Sequence, residues 1–118
     1  MLLAGCGGEG LVMPAPETAG GARGAVTGSA VGRTLADRDR DLAVAAEYRA
    51  LEFTRAGRPV AWRNEKTGRS GEVVVGPGYR VNALDCRDYS HTIRIDDRRQ
   101  TLRGAACRQP NETWRVVN

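Results

Sequence analysis

The stretch that most limits what this chain can fold into is Cys86 to Cys107, where CRDYSHTIRI and RRQTLRGAAC flank the dipeptide Asp96-Asp97. Both arms alternate strand-forming residues with polar ones, and a two-residue connection between such arms is a hairpin signal. With that turn, antiparallel partners have numbers that sum to 193, so Cys86 faces Cys107, Thr92 faces Thr101 and Tyr89 lies over Gly104. Opposed strand residues have Cα atoms about 4.5–5.5 Å apart, within the roughly 4.4–6.8 Å that a disulfide spans. A staple between the arms is therefore feasible. A turn centred on Asp97-Arg98 raises the sum to 195 and offsets the two cysteines by two positions.

The segments before this pair supply the rest of a small fold. Leu42, Ala46, Ala50 and Phe53 recur at spacings of four, four and three, Thr34 and Asp37 can cap, and Gly57 with Pro59 stops the pattern. This predicts a helix over about 34–55 whose apolar face docks on a sheet. Strand signals follow at 59–63 and 71–75, with Gly76-Pro77-Gly78 as a stop, then at 79–85, and again at 112–117 after the turn Gln109-Pro110-Asn111. With one Phe, two Trp and three Tyr in 118 residues, Trp62 and Trp114 are expected as core anchors. The fold class is α+β: one N-terminal helix and then a small antiparallel sheet of about five strands over 34–118, preceded by a disordered glycine-rich tether.

The first third is of another kind. MLLAGC sets Cys6 after Leu3-Ala4-Gly5, the order of a lipoprotein cleavage box in residues 1–6, with Cys6 as the acylated position. A signal peptide needs a positive start and about 7–15 apolar residues, so an in-frame start upstream of Met1 is expected. If Met1 is the true start, the chain is cytoplasmic. Residues 7–19 read as a flexible linker. In residues 20–33, Gly20, Gly24, Gly28 and Gly32 recur every four residues. On a helix they form a glycine-zipper-like face that permits close approach, with self-association or membrane contact to order it. The same stretch also reads as a glycine-rich linker, and it is too short to cross a bilayer, which takes about 20 apolar residues.

Charge divides the chain as well. Residues 1–53 hold five arginines against seven acids, whereas 54–118 hold thirteen basic side chains against seven acids. A basic module favours phosphates, acidic polysaccharides or anionic head groups. Arg94, Arg98, Arg99 and Arg103 cluster about the hairpin tip, where an anion can be gripped, and a solvated basic turn is the plainer reading. No catalytic arrangement emerges. His91 is the sole histidine and reads as a packed or exposed strand residue, and the chain has no GxSxG, no phosphate-binding loop and no zinc spacing. Neither a cofactor nor a metal is expected.

The motifs ALE at 50–52, VAWRN at 60–64, TGRSGEV at 67–73, CRDYSHTI at 86–93 and GAACRQPNETWRVV at 104–117 resemble the C-terminal module of the rickettsial seventeen-kilodalton surface antigen family. The upstream order of cysteine, glycine repeat and helix is similar too. The departures are a short glycine segment interrupted by Arg23, and Asp96-Asp97 where Asp-Gly is usual. The resemblance implies an outer-membrane lipoprotein with a small extracytoplasmic domain and no established catalysis, lipidated at Cys6 and with Cys86 and Cys107 as its paired cysteines. The expected partners are the outer membrane through the lipid, and lipopolysaccharide, peptidoglycan or other envelope proteins, with no nucleic acid. The alternative is a periplasmic protein-binding or inhibitor module that presents a basic hairpin.

Overall fold

A computed structural model describes residues 30–117. Cys6, the linker at 7–19, and Gly20, Gly24 and Gly28 lie outside the described residues; Gly32 is buried. The elements are α1 (Ala30–Thr34), α2 (Asp37–Phe53), β1 (Val60–Arg63), β2 (Ser70–Val81), β3 (Leu84–Ile95), β4 (Arg98–Arg108) and β5 (Trp114–Val116). All five strands pair antiparallel with their chain neighbours in one sheet of order β1-β2-β3-β4-β5. Among the described residues no helix is long and apolar enough to cross a membrane.

The fold has two layers. Because strand side chains alternate between faces, Trp62, Val73, Val75, Tyr89, His91 and Ile93 point to one side, and α2 covers them with Ala43, Ala46, Ala50 and Leu51. Trp62 and Trp114 are both core residues. The β3–β4 hairpin has Cys86 opposite Cys107 and Thr92 opposite Thr101, the register of a two-residue turn at Asp96-Asp97. A disulfide joins Cys86 to Cys107 across a Cα–Cα distance of 4.0 Å, the close spacing of a pair that exchanges no backbone hydrogen bonds.

The structure departs from the sequence expectations in three places. The helix expected over 34–55 is α2, but it starts later: a separate short helix, α1, ends at Thr34, and α2 begins after Ala36, whose backbone is extended and which carries no side-chain cap. Leu35 enters the core at the break, and the Arg40 guanidinium donates to the carbonyls of Gly32 (3.2 Å) and Leu35 (2.8 Å), which replaces the helical bonds lost there. Thr34 is thus the end of one helix and not the cap of the next. Phe53, placed on the docking face by its spacing, is 74 % exposed.

Third, Gly76-Pro77-Gly78 does not end a strand. β2 runs on to Val81, with a register slip between Val75 and Gly78. A bulge leaves a position out of the ladder, and Pro77, which has no N–H to give, is suited to it. The true turn is Asn82-Ala83, both at positive φ (49° and 71°), which matches the twist of a two-residue hairpin. The strand expected at 79–85 is therefore the end of β2, a turn and the start of β3.

Candidate functional site

The face of the sheet away from α2 carries the charge. Backbone pairing sets Arg63 beside Ser70, Ser70 beside Arg94 and Arg94 beside Arg99, so three arginines and a serine form one row across four strands. Arg103 projects from the same face opposite Ser90. Arg94, Arg99 and Arg103 are exposed, and among the described residues none of them has an acid within ion-pair distance. Arg63 is 3.2 Å from Glu65. Of the acids on this face, Glu72 lies one row over, opposite Thr92, and Asp88 accepts a 2.7 Å hydrogen bond from the Tyr79 hydroxyl.

Arg94 and Arg99 oppose each other at a position of the Cys86–Cys107 and Thr92–Thr101 kind, where side chains approach most closely; the two threonine hydroxyls are 3.1 Å apart. Like charges so placed repel. Arg98 takes the other direction. It stands opposite Ile95 on the helix side, beside an open cavity of about 570 Å³ that Thr34, Ile93, Ile95, Asp96, Arg99 and Gln100 also line. The four arginines grouped from sequence are thereby divided, three on the open face and one beneath it.

Under the sheet, three acids whose anchoring roles the sequence reading did not single out fix α2 in place, Asp39 and Glu47 fully buried and Glu52 partly so. Asp39 accepts from Asn64 Nδ2 (2.7 Å) and Thr67 Oγ1 (2.9 Å), tying the helix start to the β1–β2 turn, with Arg69 at 3.4 Å. Glu52 accepts from Arg108 Nε (3.0 Å), Arg108 Nη2 (3.1 Å) and Trp114 Nε1 (2.8 Å), tying the helix end to β4 and β5. Arg87 donates to the Ala50 and Leu51 carbonyls, which α2 leaves open at its C-terminus.

Glu47 is the third. His91, fully buried, has Nδ1 2.6 Å from Glu47 Oε2 and Nε2 2.8 Å from Trp62 Nε1. An indole N–H only donates, so His91 Nε2 accepts, and the neutral ring carries its proton on Nδ1 and donates to Glu47. Burial lowers the His91 pKa from 6.5 to about 4 and raises that of Glu47 well above 4.5. Burial and the nearby Glu47 also push the Tyr89 hydroxyl up. Gly71 makes the Trp62–His91 bond geometrically feasible: a Cβ there would lie 2.9 Å from His91 Nε2 and closer still to the indole ring. Both ring nitrogens of His91 are engaged and enclosed, so it has no access to a substrate. Among the described residues no three His, Cys, Asp or Glu side chains converge as metal ligands would.

A basic open face, a stapled hairpin and a helix pinned by buried acids describe the domain's build. The model of the family described as "17 kDa outer membrane surface antigen" matches residues 49–115. The chain belongs to that family. It is 38% identical over 89 residues to the 17 kDa surface antigen of Rickettsia bellii strain RML369-C, covering 75% of this chain and 56% of that protein. It is 42% identical over 83 residues to the 17 kDa surface antigen of Rickettsia felis, covering 70% and 52%. The same antigen from Rickettsia prowazekii is 40% identical over 83 residues with the same coverage. The chain thus spans about half the length of the curated family members it matches. No solved structure matches it.

Proposed function

We infer that the protein is a lipid-anchored outer-membrane surface-antigen-like protein with a structural or interaction role and no catalytic one, whose open sheet face holds an anionic envelope partner. The observation that carries this reading is the Arg94–Arg99 pair, opposed at a close-spaced position with, among the described residues, no acid in ion-pair distance, and with Arg103 on the same face. Two like charges held together cost stability, and a phosphate that accepts hydrogen bonds from both guanidinium forks offsets that cost. Lipopolysaccharide phosphate suits this face; peptidoglycan and acidic envelope proteins are the other members of the same ligand chemistry. The family supports the outer-membrane placement, and Cys6 after Leu3-Ala4-Gly5 supports the anchor. The enclosure of His91 supports a role without catalysis. Gly20, Gly24, Gly28 and Gly32 supply a means of self-association beside the membrane.

Two experiments test this. A palmitate analogue fed to cells expressing the gene with its upstream sequence should label the wild type and not Cys6→Ser; an unlabelled wild type removes the anchor. The full chain should co-sediment with lipopolysaccharide and lose that binding when the phosphates are removed; equal binding to dephosphorylated material removes the phosphate role. The reading as a periplasmic protein-binding or inhibitor module has one observation in its favour, the outer edge of β4 at the basic hairpin, which among the described residues pairs with no strand.

A further inference from the structure

β5 covers only the last part of β4, pairing Val116, Arg115 and Trp114 with Ala106, Cys107 and Arg108. A further bond runs from the Val117 N–H to the Ala105 carbonyl (2.9 Å). Because Ala105 turns its backbone toward β5, the period of two in an antiparallel ladder turns the N–H and C=O of Arg103, Thr101 and Arg99 outward as well. Among the described residues nothing pairs with them. Protein sheets ordinarily blunt such an edge with a proline, a bulge or brevity. This edge has none of these, and what guards it is positive charge.

We propose that the outer edge of β4 from Arg99 to Arg103 accepts an extended acidic segment of another protein as a sixth strand. The same three residues that turn their backbones outward place their side chains on the open face, so a partner's residues opposite Arg99 and Arg103 lie on that face, four apart. Acids there form cross-strand pairs with the two arginines. The residues between them fall on the helix side, opposite Gln100 and Leu102. Leu102 is half-buried and packs against the core, and the cavity of about 570 Å³ opens beside Gln100. Apolar side chains suit those positions. The recognised pattern is therefore acid, apolar, any residue, apolar, acid, held by main-chain bonds as in strand addition. A second copy of this chain is a poor occupant, because antiparallel pairing about Thr101 sets Arg99 against Arg103 twice over. The proposal goes beyond the phosphate reading and rests on it only for the availability of Arg99 and Arg103.

The test is a titration of isotope-labelled full chain with the acetylated peptide Thr-Asp-Val-Thr-Val-Asp-Thr at up to about 1 mM, a range that reads weak association. The expected result is amide shifts and slowed exchange centred on Arg99, Thr101 and Arg103, with no response to the same peptide carrying Lys for Asp. Thr101→Pro removes an outward N–H without touching the β3 ladder and should weaken the peptide about tenfold, while lipopolysaccharide binding stays at the wild-type level. The double variant R99E/R103E should lose the Asp peptide and bind the Lys peptide, and this arm stands even if Thr101→Pro fails to fold. Peptide shifts spread over Arg63 and Arg94 with no protection at the edge overturn the proposal and leave the basic face standing. Dimerisation of the chain through β4 overturns it too. A wild-type chain that binds neither the Asp peptide nor lipopolysaccharide sinks both readings.

Discussion

Replacing Glu47 with Gln should change how stability depends on pH, in a direction the buried triad dictates. The native state holds Glu47 protonated and His91 neutral, both through burial. A carboxyl whose pKa rises on folding from 4.5 contributes stability below that value and loses it as pH climbs toward the native pKa. An imidazole lowered from 6.5 to about 4 contributes above 6.5 and loses it as pH falls toward 4. Between 4.5 and 6.5 the native state keeps the Glu47 proton while the unfolded chain keeps the His91 proton. The proton difference from the pair is then near zero, and so is its slope. Above pH 6.5 only the native state holds a proton, and the wild type should lose about 1.4 kcal/mol per pH unit up to the native pKa of Glu47. Gln mimics the neutral acid, its carbonyl accepting from His91 Nδ1, and cannot ionise. Urea unfolding at pH 5, 6.5 and 8, followed by tryptophan fluorescence and circular dichroism, should show the variant gaining about 2 kcal/mol from pH 5 to 6.5, because its unfolded His91 holds a proton that the native ring lacks, while the wild type stays level. Above pH 6.5 the variant should level off and the wild type should fall, by up to about 2 kcal/mol at pH 8. Curves that stay parallel from pH 5 to 8 refute a neutral Glu47.

Gly71→Ala should be the most damaging small substitution in the sheet, because the added methyl overlaps the Trp62 ring and leaves buried donors and acceptors of Trp62 and His91 without partners. Overpacking and a broken buried bond each cost about 1–3 kcal/mol, and a melting shift of less than a few degrees contradicts that reading. Removing the disulfide with the double variant C86A/C107A, or with reductant, frees a loop closed across a sequence separation of 21. The expected loss is about 3 kcal/mol, read from the urea midpoint; an unchanged midpoint refutes a stabilising staple. Glu52→Ala leaves Trp114 Nε1 and Arg108 without their shared acceptor, so hydrogen exchange in β5 should accelerate well before that of β2; uniform acceleration argues against a local pin.

The hairpin of β3 and β4 was legible because alternation and a two-residue turn are local signals, and local signals survive without knowledge of the rest of the chain. The strand stop at Gly76-Pro77-Gly78 was misread for the same reason: glycine and proline mark turns and bulges alike, and only the pairing of Tyr79 with Cys86 distinguishes them. The break before Asp37 depends on Arg40 reaching back to Gly32 and Leu35, a tertiary event with no signature in Ala36. Arginines near the hairpin tip were legible as a group, but their division between faces follows from strand parity once the register is fixed. The anchoring roles of Asp39, Glu47 and Glu52 leave no local signature, because each partner lies at least 25 residues away. One signal for Glu47 was present. It falls four residues from Ala43 and Leu51, on the stripe that the structure buries, and a carboxylate on an apolar stripe requires a polar partner.

The claim that the open face binds an anionic partner is tested most directly by lipopolysaccharide affinity as a function of salt, wild type against the triple variant R94Q/R99Q/R103Q. Exposed charge interactions are screened within about 10 Å at 0.1 M salt. The wild type should therefore bind well at low salt and weaken steeply as salt rises, and the variant, with a melting temperature at or above that of the wild type, should bind weakly at every salt concentration. A variant that matches the wild-type curve would contradict the account, because the charges of Arg94, Arg99 and Arg103 would then have no part in holding the partner.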